Sequence, residues 1–252
     1  MELSTAIRWF SRRGQCIARR AFSIFLLGVH VSLGRDGFEV LEGVLSVKEV
    51  ECLLGSLSQL KLEPRRGWVR NIESRCKEVA ELVAAEPLMR IARQHLAGVP
   101  KLVRAIYFDK SAERNWSVTW HQDRTVAVSG RFAMDGWGPW SSKAGIWHVQ
   151  PPIAVLEDML TVRLHLDPTD AGNGCLKIAA GSHLLGLVPS ANASAAVEQN
   201  SVVYCEVPLG AAVVMRSHVL HASEKSITNA ARRVLHFEYS SYRLPEGIAW
   251  AG

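Results

Sequence analysis

Several kinds of protein are excluded by what this 252-residue sequence lacks. It has no Cys-x-x-Cys: Cys16, Cys52, Cys76, Cys175 and Cys205 are odd in number and scattered. That pattern excludes a disulfide frame or a thiolate zinc site and fits buried thiols in a reducing, cytoplasmic setting. No glycine-rich phosphate loop is present, which argues against nucleotide-driven chemistry. Apolar runs stay short of a membrane span. Arginines and aromatics are not interleaved as a base-stacking groove requires, so no nucleic-acid partner is expected.

Acidic residues are almost missing from the first 34 positions, where Arg8, Arg12, Arg13, Arg19 and Arg20 face only Glu2. This arm supplies most of the formal net charge of +5, so the basic balance describes the arm more than the body. Basic residues followed by the apolar run Ala21–Leu33 have the order of a targeting segment. Without a clear small-x-small cleavage site, targeting is the alternative to a simple N-terminal extension. The expected organisation is an arm, 1–34, and a single domain, 35–252, carrying a Trp-rich insert at 129–152.

What is present has mostly β texture. Gly37–Ser46 is expected to be a strand running into a helix N-cap at Ser46, with Glu49 completing a capping box. Val50, Leu53, Leu54 and Leu57 continue at helical spacing. A second helical stretch is expected over 72–97, broken or kinked at Pro87. Residues 101–109 suggest a strand. Further strands are expected over Leu160–Asp167, Cys175–Ala179, Val202–Val207, Ala211–Met215 and Val234–Tyr239, separated by Gly, Pro and Asx turns. Short strands at regular spacing point to a sandwich or barrel. Residues 129–152, with Trp137, Trp140 and Trp147, look too long for a hairpin and suit either a binding lid or an anchored surface loop.

The chemistry concentrates at His121-Gln122-Asp123. On an extended segment, residues two apart share a face, so an imidazole and a carboxylate stand side by side. They are two thirds of the facial triad that holds Fe(II) and leaves positions open. The best third ligand is His221, expected to open a loop after an apolar strand. Arg232, eleven residues later, offers a planar two-donor fork to the free carboxylate of 2-oxoglutarate, and Ser223 adds a hydroxyl.

These residues, together with Asn173-Gly174-Cys175-Leu176 and Gly181-Ser182-His183 in the same order, resemble the phytanoyl-CoA dioxygenase family of Fe(II)/2-oxoglutarate oxygenases. The resemblance covers roughly 36–242. It implies a mostly β, double-stranded β-helix (jelly-roll) core with flanking helices. It also implies iron on His121, Asp123 and His221, 2-oxoglutarate on Arg232 with Ser223, and Arg163 beside the co-substrate. O2 would be consumed, succinate and CO2 released, and a C–H bond of a small molecule hydroxylated. Halogenating relatives replace the metal Asp by Gly or Ala; Asp123 favours hydroxylation or a related oxidation. Ser226 stands where many members have Asn, and the phytanoyl-CoA hydroxylase itself lacks the 129–152 insert.

The remaining polar residues have blander expectations: Arg233 a surface pair, His218 structural, His165 a hydrogen-bonded core histidine, His236 part of the barrel wall, and His148 and Lys143 either substrate contacts or a solvated loop. The alternative to an oxygenase is a non-catalytic jelly-roll binding protein. A zinc hydrolase is a further rival, but it leaves Arg232 without a duty.

Overall fold

A computed structural model describes residues 31–62 and 67–252, together with the backbone of Phe22–Ser23. Most of the basic arm, and with it the question of a targeting segment or a simple extension, lies outside the described residues. Among the described residues, no helix is long and apolar enough to cross a membrane.

The strands in chain order are β1 (Phe22–Ser23), β2 (Phe38–Leu41), β3 (Trp68–Arg70), β4 (Lys101–Lys110), β5 (Val118–His121), β6 (Val126–Val128), β7 (Trp140–Lys143), β8 (Ile146–Val149), β9 (Met159–His165), β10 (Leu176–Ala179), β11 (Val202–Cys205), β12 (Ala212–Arg216), β13 (His221–Ser223) and β14 (Arg232–Ser240). The helices are α1 (Leu33–Asp36), α2 (Val47–Ser58), α3 (Lys77–Leu82), α4 (Glu86–His95), α5 (Ile153–Glu157) and α6 (Ala193–Glu198).

Two sheets face each other. The larger is antiparallel in the order β2-β12-β9-β14-β4-β3, and the smaller runs β1-β11-β10-β13-β5. The fold is the expected jelly roll, mostly β with flanking helices. Period-2 alternation divides the large sheet cleanly. Leu160, Val162, Leu164, Leu235, Phe237 and Tyr239 point outward into a core shared with Val50, Leu53 and Leu57 of α2, Val79 of α3, and Leu88 and Ile91 of α4. The helices thus cover one face of the sheet, and their apolar burial stabilises it.

On the inner face, the β2/β12 end is apolar: Phe38, Val213 and Met215 meet Leu176, Ile178 and Val203 of the smaller sheet. Toward β14 and β4 the same face turns polar, carrying Arg104, Arg163, Arg232, His236 and Glu238, all buried. A core filled at one end and polar at the other leaves a site where the polar end opens.

Several local expectations hold in detail. Ser46 and Glu49 form the full capping box at the start of α2. The 72–97 stretch divides into a 3-10 turn, α3 and α4; Pro87 lies in the first turn of α4, where its missing N–H has no intrahelical partner to lose. The expected break is present: α3 ends at Leu82, and Pro87 sits in the first turn of the helix that restarts after it.

The 129–152 insert is different from expectation, because it contains a hairpin after all. β7 and β8 pair through the two-residue turn Ala144-Gly145, both at positive φ (52° and 79°), and β8 pairs in turn with β6. Arg131 lies over the rings of Trp140 and Trp147 at 5.6 and 5.3 Å, which fixes the insert's outer face.

Candidate active site

His121 ends β5 and His221 begins β13. The two are register partners across the β5–β13 ladder, so two imidazoles are delivered to one point by strand pairing alone. Here the structure differs from the expectation that His221 opens a loop: it opens a short strand, with a bulge between His221 and Ser223. Asp123 follows β5, its backbone N–H donating to the Ser217 carbonyl at 2.9 Å. Its carboxylate oxygens lie 3.9 Å from His121 Nε2 and 3.6 Å from His221 Nε2. One donor atom from each residue lies within 4.8 Å of the other two, a spacing fit for a single metal ion.

The tautomers are set by neighbouring carbonyls. His121 Nδ1 is 2.8 Å from the Thr119 oxygen, and His221 Nδ1 is 3.0 Å from the Val219 oxygen. A carbonyl only accepts, so each Nδ1 carries the proton and each Nε2 presents its lone pair to the shared point. Burial, then the like charge of His121, pushes the His221 imidazole down to about 3, so it is neutral at physiological pH. Burial opposes ionisation of Asp123, but the surrounding charges of His221, His236, Arg104 and His121 outweigh it, and the carboxyl titrates well below the usual range. With His221 neutral near pH 7, Arg104 supplies a lasting positive charge beside the Asp123 carboxylate.

Gln122, between the two ligand candidates, faces the other way and anchors the segment. Its amide donates to the carbonyls of Gly186 (2.7 Å) and His218 (2.6 Å) and accepts from Val188 N–H (2.9 Å). The sequence motifs around Gly181 and Asn173 also act as supports. Ser182 Oγ accepts from Leu220 N–H at 2.8 Å, immediately before His221. Asn173 closes a reciprocal turn with Asp170, after which Gly174 turns at φ 72°; a Cβ there would stand 2.4 Å from the Glu224 carbonyl oxygen.

Beside this centre opens a cavity of about 390 Å³, lined by His121, Asp123, His221, Ser223, Arg163 and Arg232 among others. Arg232 is only 2% exposed, yet its Nε and Nη1 have no hydrogen-bond partner among the described residues. Burial, then the charge of Arg163, pulls its pKa down to about 10. A buried guanidinium with two open donors is costly unless an anion completes it. Ser223 lines the same cavity. Arg163 donates from Nη1 to His236 Nδ1 at 2.9 Å, and its Nε is unpartnered. Since His236 accepts there, its Nε2–H is the donor to Glu238, 3.0 Å away.

Every sequence-expected site residue therefore reaches one cavity: His121, Asp123, His221, Arg232, Ser223 and Arg163. Of the subsidiary expectations, Arg233 does form a surface pair, gripping Asp167 through Nε and Nη2. His165 departs from expectation: it is fully buried, and neither ring nitrogen has a partner among the described residues. His236 is more than a wall residue, since it lines the cavity between Arg163 and Glu238.

Arg104, Glu238, Lys110 and Gln122 were missed. A period-2 signal existed for Glu238, which follows His236 at i+2 as a second polar residue in an otherwise apolar stretch of strand. Arg104 likewise interrupts an apolar run in β4. Lys110 is fully buried, bonded to the Glu224 carbonyl at 2.6 Å, and its ammonium lies 5.2 Å from the Trp116 ring centre.

The model of the phytanoyl-CoA dioxygenase family matches residues 33–234. The chain belongs to that family. No curated protein matches it. Among solved structures, this family member is similar to EctD from S. alaskensis with 2-oxoglutarate and 5-hydroxyectoine, at 19% identity over 83% of this chain and 73% of that one, with a TM-score of 0.62. HygX from Streptomyces hygroscopicus, with nickel and 2-oxoglutarate bound, is 16% identical over 84% and 87% of the two chains, with a TM-score of 0.60. The non-heme alpha ketoglutarate dependent epimerase SnoN from nogalamycin biosynthesis reaches a TM-score of 0.66 at 17% identity, over 87% of this chain and 80% of that one. At these identities the likeness shows the shared fold.

Proposed function

We propose that this chain is a non-haem Fe(II)- and 2-oxoglutarate-dependent dioxygenase that hydroxylates a C–H bond of a small molecule, releasing succinate and CO2. His121, Asp123 and His221 would hold the iron. Arg232, with Ser223 beside it, would hold the carboxylate of 2-oxoglutarate remote from the metal, and Arg163 would lie along the co-substrate. When bound, iron and 2-oxoglutarate supply the activation of O2 and the oxidising power.

The chain's own contribution is geometric and electrostatic. The Thr119 and Val219 carbonyls fix the two imidazole tautomers. Gln122 locks the segment that carries His121 and Asp123. Arg163 is held by the chain through His236 to Glu238, which keeps its guanidinium aimed into the cavity. Phe108, Trp116 and Leu176 give the cavity an apolar wall that limits water around the reacting groups.

One observation carries the reading: three converging metal donors and a buried guanidinium with two open donors line a single cavity. A zinc hydrolase has no use for that guanidinium. Family membership and structural neighbours solved with 2-oxoglutarate support the same chemistry. Hydroxylation is favoured over halogenation by the carboxylate at Asp123, which fills the position a halide would need.

The test is stoichiometry under air. Succinate should form in step with 2-oxoglutarate consumption and depend on added Fe(II). A protein that binds neither iron nor 2-oxoglutarate would be the jelly-roll binding protein instead.

A further inference from the structure

Among the described residues, six cationic side chains line the cavity (Arg70, Arg104, Arg124, Lys143, Arg163 and Arg232) against one carboxylate, Asp123. A divalent metal and the 2-oxoglutarate dianion cancel one another, so loading the site leaves this imbalance as it was. Glu238, bound to Arg104, neutralises one more charge. Arg70 has an interaction of its own and is left out of that balance; Arg124, Lys143, Arg163 and Arg232 still stand against Asp123 alone, more positive charge than the assigned chemistry uses.

The cations fall into two groups. Arg232 and Arg163 lie together with Lys110, whose pKa is pulled down to about 7 by burial and then by those two charges. This is the co-substrate group. The second group is Arg104, Lys143 and Arg70. Arg104 stands at the other end of β14 from Arg232, opposite Glu238 in the β4–β14 register. The Glu238 carboxylate lies within 4.8 Å of that of Asp123, so Arg104 adjoins the metal centre. Arg70 comes from β3, paired with Ile106 two residues along β4 from Arg104. Lys143 comes from the end of β7, beside the Ala144-Gly145 turn of the insert.

Open polar atoms mark the same place: Arg104 Nε and His148 Nδ1 are buried without partners among the described residues. His148 is pushed down to about 4 by burial and then by the charges of Arg104, Lys143 and Arg70. Like charges held together in a concave site gain most from an anion that enters it.

We propose that the substrate carries a carboxylate or phosphate group, received by Arg104 and Lys143 with Arg70 beside them, on the Asp123 side of the metal centre. This deepens the oxygenase reading and rests on it for the word substrate. The anion site itself requires only the residues named. The insert hairpin thereby has a duty, since it carries Lys143 to the cavity mouth.

Binding of inorganic phosphate and of propionate, each measured by calorimetry, tests the site. The protein is first saturated with Fe(II) and 2-oxoglutarate without oxygen, which occupies Arg232. One anion should bind, and the tighter probe identifies the group recognised. Lys143→Gln should weaken it roughly tenfold, by analogy with loss of one charge-assisted contact. Lys143→Glu should abolish it. Because Arg104→Met alone would strand Glu238, the paired variant Arg104→Met/Glu238→Gln is the second arm, and it too should lose the anion.

Repeating the titration in Arg232→Met, without metal or co-substrate, separates this inference from its parent. A site that persists there and responds to Lys143→Glu stands even if 2-oxoglutarate never binds. Absence of anion binding in the 2-oxoglutarate-saturated protein, or binding unchanged in Lys143→Glu, would overturn the proposal while leaving the oxygenase reading intact.

Discussion

His121 and His221 face each other across a two-strand ladder with their ring centres 4.2 Å apart, and each is tied through Nδ1 to the carbonyl two residues before it. The same local device, repeated on two strands, aims both Nε2 atoms at Asp123. Backbone pairing sets the spacing and the carbonyls set the protonation, so the centre is organised before any ion arrives.

Removing Asp123 should then abolish metal retention and leave the fold intact. The Asp123 side chain makes no hydrogen bond on which the strands depend, and its backbone N–H still reaches Ser217 in Asp123→Ala. The loss of affinity should exceed the roughly 10–100-fold that follows loss of a supporting partner. Metal content after gel filtration, beside a circular dichroism melt, reads both halves. Full occupancy in the variant would remove Asp123 from the ligand set.

Arg232→Met should act in opposite directions on function and stability. A charge-assisted pair is worth about 1.5–3 kcal/mol, so the half-saturating 2-oxoglutarate concentration should rise roughly 10–150-fold. The ligand-free variant should melt higher than the wild type, because a buried guanidinium with two open donors no longer opposes folding. An unchanged 2-oxoglutarate requirement would take Arg232 out of its role.

Gln122→Ala should cost about 2–4 kcal/mol of stability, because it strands a buried N–H at Val188 and two carbonyls at Gly186 and His218. Metal affinity should fall with it, since the segment holding His121 and Asp123 loses its anchor. Denaturant midpoints and an iron titration give the two numbers; a stability loss below about 0.5 kcal/mol would show that the anchor is dispensable.

Lys110 predicts a rise in stability on the alkaline side. Its ordinary value is 10.5, and burial, followed by the charges of Arg232 and Arg163, lowers it to about 7 in the fold. Between these values the unfolded chain binds a proton that the folded one does not, so stability increases with pH across that window. Below about 7 the penalty of burying the ammonium is fully present. Relative to Lys110→Met, the wild-type urea midpoint should climb between pH 7 and 10. Parallel profiles for the two proteins would contradict the buried, depressed amine.

Much of the candidate site could be read from the sequence because its residues follow strand alternation and pairing. His-x-Asp spacing, a later histidine and an arginine eleven residues on each imposed a direction that the sheets respected. Alternation along Thr161–His165 likewise separated the inward Arg163 from outward Val162 and Leu164. The failures have physical causes. The Ala144-Gly145 turn supplies two positive φ angles without the Asn-Gly pair that signals them, so the insert hairpin passed as a loop. Arg104 and Glu238 lie 134 residues apart and meet only through β4–β14 pairing, a contact that no local pattern contains. Gln122 looked like the spacer in His-x-Asp because its partners come from the distant 186–188 and 218 segments.

The most direct measurement of the central claim is an anaerobic titration of the purified protein with Fe(II) and then 2-oxoglutarate, following the weak visible metal-to-ligand charge-transfer band. The account predicts a band that saturates at one 2-oxoglutarate per iron in the wild type and is absent in His121→Ala. Folded, iron-replete wild type that shows no band, or a band of equal strength in His121→Ala, would contradict it.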